Sequence, residues 1–444
     1  MRGLWARVGT TDRTILAVAV PAFFALVSEP LMLLADTAIV GHLGRTPLGG
    51  LAAASVVLST VVGLCVFLAY GSTATVARRR GADDLTGAYG YAVGSIWLAL
   101  GLGVVLGAAL AVAAGPLAST LSSSAAVADQ AERYLLVSSL AVPALLVSLA
   151  ATGALRGVMD LRTPLVVTVA ANLVNVVLNL VLVHGAGGWS GWGITGSAVG
   201  TVAAQWFGAG WLTTVVVRGA RAAGSSLRAR AGAVLRAGLD GVPLFVRTLA
   251  LRTGLVVGTA VAAHLGDVPL AAQQVVTALV TFFAFALDAI AIAAQTLVGH
   301  ALGAGDRATA RAMTRRMIAW GVGTGGLAAL VMAGLSPWAG PVFAPGDAAV
   351  ADVLGPALVV AAVIQVPAAV VYVLDGILIG AGDAVYLAWA GLLTLVPYVP
   401  LALLVGHLDA SFTWLWAAYG VYIGARLVTL WLRQRSDAWL VTGA

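Results

Sequence analysis

There is no lysine in the 444 residues, so all 24 basic side chains are arginine. Charge of either sign is scarce at 9%, which excludes an ordinary soluble domain, where about a quarter of residues are charged. Cysteine is nearly absent: Cys65 stands alone in an apolar run, excluding a disulfide framework and a thiolate metal site. The five histidines (His42, His184, His264, His300 and His407) sit singly at the ends of apolar runs, so no metal site is expected. No G-x-x-x-x-G-K-[ST] occurs, which argues against an ATPase, and no G-x-S-x-G argues for a hydrolase. Gly321-Val-Gly-Thr-Gly-Gly326 matches G-x-G-x-x-G but lies inside an apolar run with no preceding strand, so it reads as helix packing. Neither enzymatic chemistry nor a cofactor beyond a coupling ion is expected. The basic pI of about 9.9 does not imply a nucleic-acid partner, because the arginines lie between apolar runs.

What the chain has is apolar length. Hydrophobic residues make up 61% of it, and the mean hydropathy is +1.00. A helix needs about 20 apolar residues to cross a bilayer. Twelve such runs lie near 14–40, 48–77, 88–115, 131–158, 162–184, 192–217, 242–265, 269–302, 309–335, 350–381, 384–406 and 412–433. The basic stretch Met1–Arg13 leads into the first run without a small-residue cleavage site, so a retained span is expected. Nineteen arginines fall at the two termini and in alternate connections, against Arg45 and Arg133 in the others. That bias predicts a multi-pass protein of the cell membrane with both termini cytoplasmic, and the lipid bilayer as its surroundings.

The runs also repeat. An offset of 222 places Pro21 on Pro243 and His42-Leu43-Gly44 on His264-Leu265-Gly266. An offset of 223 places Gly153, Gly157 and Asp160 on Gly376, Gly380 and Asp383. The reading is an all-α membrane protein of twelve transmembrane helices in two pseudo-symmetric six-helix lobes. The lobes are 1–217 and 242–444, and an Arg/Gly/Ala/Ser-rich cytoplasmic linker at 218–241 joins them. Duplicated hydrophobic halves are characteristic of secondary transporters.

Ionisable groups within spans are costly and mark candidate sites. They are Glu29, Asp36, Arg247, Arg252, Asp288, Asp375 and Arg426. In the second half both signs coexist, which fits structural ion pairs or a C-lobe site built from Arg252, Asp288 and Asp375. Asp36 differs because no basic residue lies in the apolar part of the first six spans, and its repeat position is Gly258. Asn172, Asn175 and Asn179, spaced i, i+3, i+7 on span 5, share one helical face and are its expected neighbours. A carboxyl among amides could load and release a proton, or could serve packing alone. Pro21 and Pro30 mark places where span 1 can bend.

The stretch from Glu29 to Gly44 resembles span 1 of multidrug and toxic compound extrusion (MATE) transporters. So do Gly153-Ala-Leu-Arg-Gly-Val-Met-Asp160-Leu-Arg-Thr-Pro164 and Gly303-Ala-Gly-Asp306. Arg247-Thr-Leu-Ala-Leu-Arg252 and the stretch from Leu374 to Asp383 are similar to the DinF-type branch. The resemblance implies a V-shaped pair of lobes around a central cleft. It also implies antiport of drug-like, often cationic or amphipathic, small molecules against inward H⁺ or Na⁺, by a monomer. It makes Asp36 the cation-coupling carboxylate and Pro21 the residue whose bending accompanies protonation. It matches Asn175 to the family's span 5 Asn, whereas Asn179 stands where archaeal-type members carry Asp, which favours H⁺ over Na⁺. The family's span 6 hydroxyl falls on Thr195, Ser197 or Thr201. A MATE-fold metabolite exporter and a lipid-precursor flippase are the alternatives, the latter expected to line its cavity with several cationic residues.

Overall fold

The computed structural model describes residues 10–122 and 124–443, so Arg2 and Arg7 lie outside the described residues. Apolar runs without strand periodicity form helices, and the described residues contain no strand. We number twelve helical elements: α1 Thr10–Gly41, α2 Arg45–Gly81, α3 Leu85–Leu121, α4 Ala125–Gly157, α5 Arg162–His184, α6 Ile194–Ala222, α7 Ala231–His264, α8 Asp267–Gly303, α9 Arg307–Phe343, α10 Ala348–Gly380, α11 Ala384–His407 and α12 Phe412–Arg435. Eleven of them are long and apolar enough to cross a membrane. The other is α6, whose 29 residues still reach about 44 Å. Gln205 and a series of glycines and threonines dilute its apolar character. Helices overrun the apolar runs because polar caps and amphipathic ends continue beyond hydrocarbon: α3 extends to Leu85 and Leu121. α2 breaks at Cys65–Val66, and α4 tightens into a 3₁₀ turn over Ser139–Ala141. α1 stays helical through Pro21 and Pro30.

Two compact units result. The first, here the N-unit, spans Phe24–Gly241, and the second, the C-unit, joins the chain through Phe23 to Val242–Ala444. The division falls inside α1 and α7, whereas the halves of the sequence divide at 218–241. The start of α1 is held in the C-unit by Asp12, which receives Arg316 Nε at 2.5 Å and Trp320 Nε1 at 2.9 Å from α9. The linker is also shorter than its composition suggests, because α6 continues to Ala222 and α7 starts at Ala231.

The repeated residues do the same work in each unit. In the N-unit a Cβ on Gly153 would come within 2.3 Å of the Ala69 carbonyl oxygen, so α4 lies directly on α2. In the C-unit a Cβ on Gly376 would come within 2.3 Å of the Ala291 carbonyl oxygen, so α10 lies on α8 in the same way. Small residues permit such backbone approach where no hydrophobic drive exists between helices in lipid. Loop acids repeat as caps: Asp84 accepts from Gly87 N and Asp306 from Thr309 N, at 2.8 and 2.9 Å. Exposed Asp306 is thereby held below the usual carboxylate range, chiefly by the Thr309 hydroxyl.

Candidate functional site

In the N-unit, α1 and α5 run parallel side by side. Asn172 Nδ2 donates to the Ser28 carbonyl at 2.9 Å, and two turns further Asn179 Nδ2 donates to Asp36 Oδ1 at 2.7 Å. The i, i+4 spacing puts Asn175 on the same face as Asn179. From there Asn175 Nδ2 donates to Thr201 Oγ1 on α6 at 3.1 Å. Asn179 Nδ2 also lies 3.3 Å from Asn175 Oδ1 and 3.4 Å from Ser197 Oγ. Asp36 is 3% exposed, and Asn175, Asn179 and Ser197 are fully enclosed.

Helix α6 enters this cluster because residue 200 is glycine: a Cβ there would stand 2.1 Å from Asn179 Oδ1. That oxygen is buried and accepts no hydrogen bond. A half-turn of the amide would offer Oδ1 to Asp36 instead. So the amide can accept from a protonated carboxyl or donate to a carboxylate with the same atoms.

Of the residues singled out in the sequence, Asp36, Asn175, Asn179, Ser197 and Thr201 come together. Asn172 shares their helical face but lies two turns away, near Pro30, and serves the α1 backbone. Thr195, in the first turn of α6, has no bond to the cluster among the described residues. Sequence reasoning missed Tyr134 on α4, whose hydroxyl lies against Ser138, Ser197 and Thr201, within electrostatic reach of Asp36. A tyrosine inside an apolar span was the available signal, since a buried phenol seeks a partner.

The C-unit is built differently at the corresponding place. The offset of 222 puts Asp36 on Gly258, and 223 puts Asn175 on Tyr398. Tyr398 fills the space, its hydroxyl 2.9 Å from where a Cβ of Gly258 would stand and donating to the Gly254 carbonyl at 3.1 Å. Tyrosine replaces the whole carboxyl–amide pair.

The C-unit instead holds a charged cluster further back along α7, eleven residues before Gly258. Asp375 on α10 receives Arg247 Nη2 of α7 at 2.9 Å and Arg426 Nη2 of α12 through the same oxygen, Oδ2. All three side chains are buried, and Arg426 also faces the Tyr422 ring at 5.9 Å. This corrects the expected grouping of Arg252, Asp288 and Asp375. Arg252 is exposed on the far side of α7, five residues from Arg247 and so on another face, and Asp288 is half-buried on α8. Helical phase, invisible when residues are merely counted within a span, decides which arginine reaches the acid.

The comparisons with known proteins bear on what this arrangement serves. The family model MatE matches twice, at residues 21–181 and 243–404, and so reproduces the offsets of 222 and 223. The chain is 29% identical over 449 residues to Protein DETOXIFICATION 44, chloroplastic, of Arabidopsis thaliana, covering 97% of this chain and 84% of the relative. It is 30% identical over 307 residues to DNA damage-inducible protein F of Escherichia coli, covering 67% of this chain and 65% of the relative. Among solved structures, one described as MATE in the bent conformation superposes with a TM-score of 0.87 at 20% identity, covering 99% of this chain and 98% of the other.

Proposed function

The chain belongs to the MatE family of multidrug and toxic compound extrusion transporters, multi-pass membrane proteins that handle small molecules, and from that premise we propose a proton-coupled antiporter. It expels drug-like, cationic or amphipathic organic molecules from the cytoplasm in exchange for inward H⁺. It acts as a monomer in the cell membrane, with both termini cytoplasmic.

The observation that carries this reading is the surroundings of Asp36. Its hydrogen-bond partner is the neutral Asn179 amide, and no basic side chain bonds to it among the described residues. Protonating or deprotonating it therefore leaves no buried guanidinium stranded. Asp375 is the opposite case, because two buried arginines share its carboxylate, and losing its charge would strip both of that common partner. Only the first kind of acid can cycle.

In this mechanism Asp36 carries the proton, Asn179 follows by turning its amide, and Asn175, Ser197, Thr201 and Tyr134 supply the polar surroundings. Pro21 gives α1 a place to bend as the hydrogen bonds at Asp36 change, since proline removes one backbone donor from the helix. A proton is favoured over Na⁺ because a single carboxylate among amides and hydroxyls supplies little charge to offset dehydration of the ion.

The test is efflux of a fluorescent organic cation from proteoliposomes. Transport should follow an imposed ΔpH at zero Na⁺. Transport that follows a Na⁺ gradient at clamped pH and ignores ΔpH would assign the site to Na⁺.

A further inference from the structure

The histidines stand apart in sequence, yet helix packing pairs two of them. His42 immediately follows α1 and His184 is the last residue of α5. Their rings meet edge to face with centroids 6.3 Å apart and an interplanar angle of 86°. Both side chains are exposed. His42 Nδ1 lies 2.7 Å from the Ala38 carbonyl oxygen, so that nitrogen carries the proton and Nε2 keeps its lone pair in the neutral ring. A carbonyl on the second nitrogen is the common way a ligating imidazole is oriented.

The spacing suits one shared ion. A metal about 2.0–2.1 Å from an imidazole nitrogen lies about 3.2 Å from the ring centroid, so rings sharing it have centroids roughly 4.5–6.4 Å apart as the angle at the metal opens from a right angle to a line. The 6.3 Å observed is at the wide end of that range. Rotation of the exposed His184 side chain, which leaves the His42 Nδ1–Ala38 contact in place, would be needed to bring it toward about 5.2 Å, the tetrahedral value. Among the described residues no group of three or more His, Cys, Asp or Glu is arranged to hold a metal. The pair therefore supplies two ligands, and water or chloride the rest. The connection from Gly185 to Gly193 contains no titratable residue, and the nearest charge along the chain from His42 is Arg45. The imidazoles are the cation-binding groups there.

We propose that His42 and His184 form a two-ligand site for a borderline transition-metal cation such as Zn²⁺, which ties the end of α1 to the end of α5. Asp36 lies six residues back from His42 and Asn179 five back from His184. The bridge thus sits about 8–9 Å along the helices from the Asp36–Asn179 hydrogen bond. An ion there pins together the two helices whose contact carries the carboxyl, and slows exchange. The binding claim stands on geometry alone; the effect on transport rests on the role proposed for Asp36.

Calorimetric titration of the purified full-length protein with ZnCl₂ at pH 7.5 tests binding. We expect micromolar binding that weakens at least tenfold in His42→Gln and in His184→Gln. His264→Gln, at the repeat position of His42, should bind as the parent does. Unchanged binding in both His42→Gln and His184→Gln would overturn the site. In proteoliposomes Zn²⁺ should slow efflux by the parent several-fold and leave the His184→Gln rate unaltered by the ion. Efflux unaffected by bound Zn²⁺ would overturn the pinning effect, while the role of Asp36 is judged separately by the ΔpH experiment.

Discussion

Gly200 on α6 touches Asn179 on α5 so closely that a single methyl at position 200 would fall 2.1 Å from the amide oxygen. The glycine is thus part of the site, although it has no side chain. Gly200→Ala should displace Asn179 from Asp36 and lower gradient-driven efflux by about tenfold or more. Gly210→Ala on the same helix meets nothing within 4 Å and should transport normally. Equal rates for the two variants would show that the Asn179 position does not matter.

Asp36→Asn should abolish gradient-driven efflux in a folded protein. Asparagine has nearly the size of aspartate, and a turned Asn179 amide can accept from it through Oδ1, so the local packing survives. What disappears is the group that differs between loaded and unloaded states, and with it the coupling free energy. Proteoliposome efflux and a thermal melt in detergent together check this. Near-parental efflux would remove Asp36 from the coupling role.

At Asp375 the expected damage is to stability. Asp375→Asn leaves Arg247 and Arg426 buried without their shared carboxylate, a loss of about 3–5 kcal/mol for a broken buried pair. Arg247→Gln still leaves Asp375 paired with Arg426 and should cost less. Melting midpoints should therefore rank parent above Arg247→Gln above Asp375→Asn. A stable Asp375→Asn protein that has lost transport would place coupling in the C-unit.

Pro21→Ala restores a backbone donor to α1 without adding bulk. The protein should fold and insert at parental levels, and its efflux should fall several-fold if α1 bends there during the cycle. Unchanged turnover would make Pro21 a static feature. Accessibility labelling of single cysteines along α1, in a Cys65→Ser background, gives a second readout, because bending alters which positions react.

Gly153→Ala and Gly376→Ala should be equally harmful, since each drives a methyl to 2.3 Å from a backbone oxygen at equivalent places in the two units. Membrane-inserted yield is the measurement. A large difference between them would mean that the two units do not share this packing.

Some of this was written in the one-dimensional pattern. Apolar runs declare helices because the bilayer forbids unpaired backbone, and the 222-residue periodicity declares two similar units because the same glycines and caps recur. Asp36 was visible for a similar reason: an acid with no basic residue in the apolar part of the first six spans must find neutral partners, and Asn175 and Asn179 lie on one helical face. Other features depend on rotation and contact between helices, which spacing within one helix does not contain. Spacing put Asn172 with its neighbours, but two turns of rise carried it to Ser28. The family resemblance left Thr195, Ser197 and Thr201 open on α6, and the approach permitted by Gly200 brought Ser197 and Thr201 to the cluster. Tyr134 comes from α4, a helix with no sequence relation to Asp36.

The sequence by itself determined the membrane class, the helix count, the duplication and the position of the Asp36 carboxyl, since each follows from hydropathy, periodicity and charge read along the chain. Only the tertiary structure decided that Arg247 and Arg426, and not Arg252, clamp Asp375, that α1 divides between two units, and that His42 faces His184. Those outcomes turn on the phase and closeness of helices distant in sequence, and side-chain partners across a helix interface are set by packing geometry that no single segment encodes.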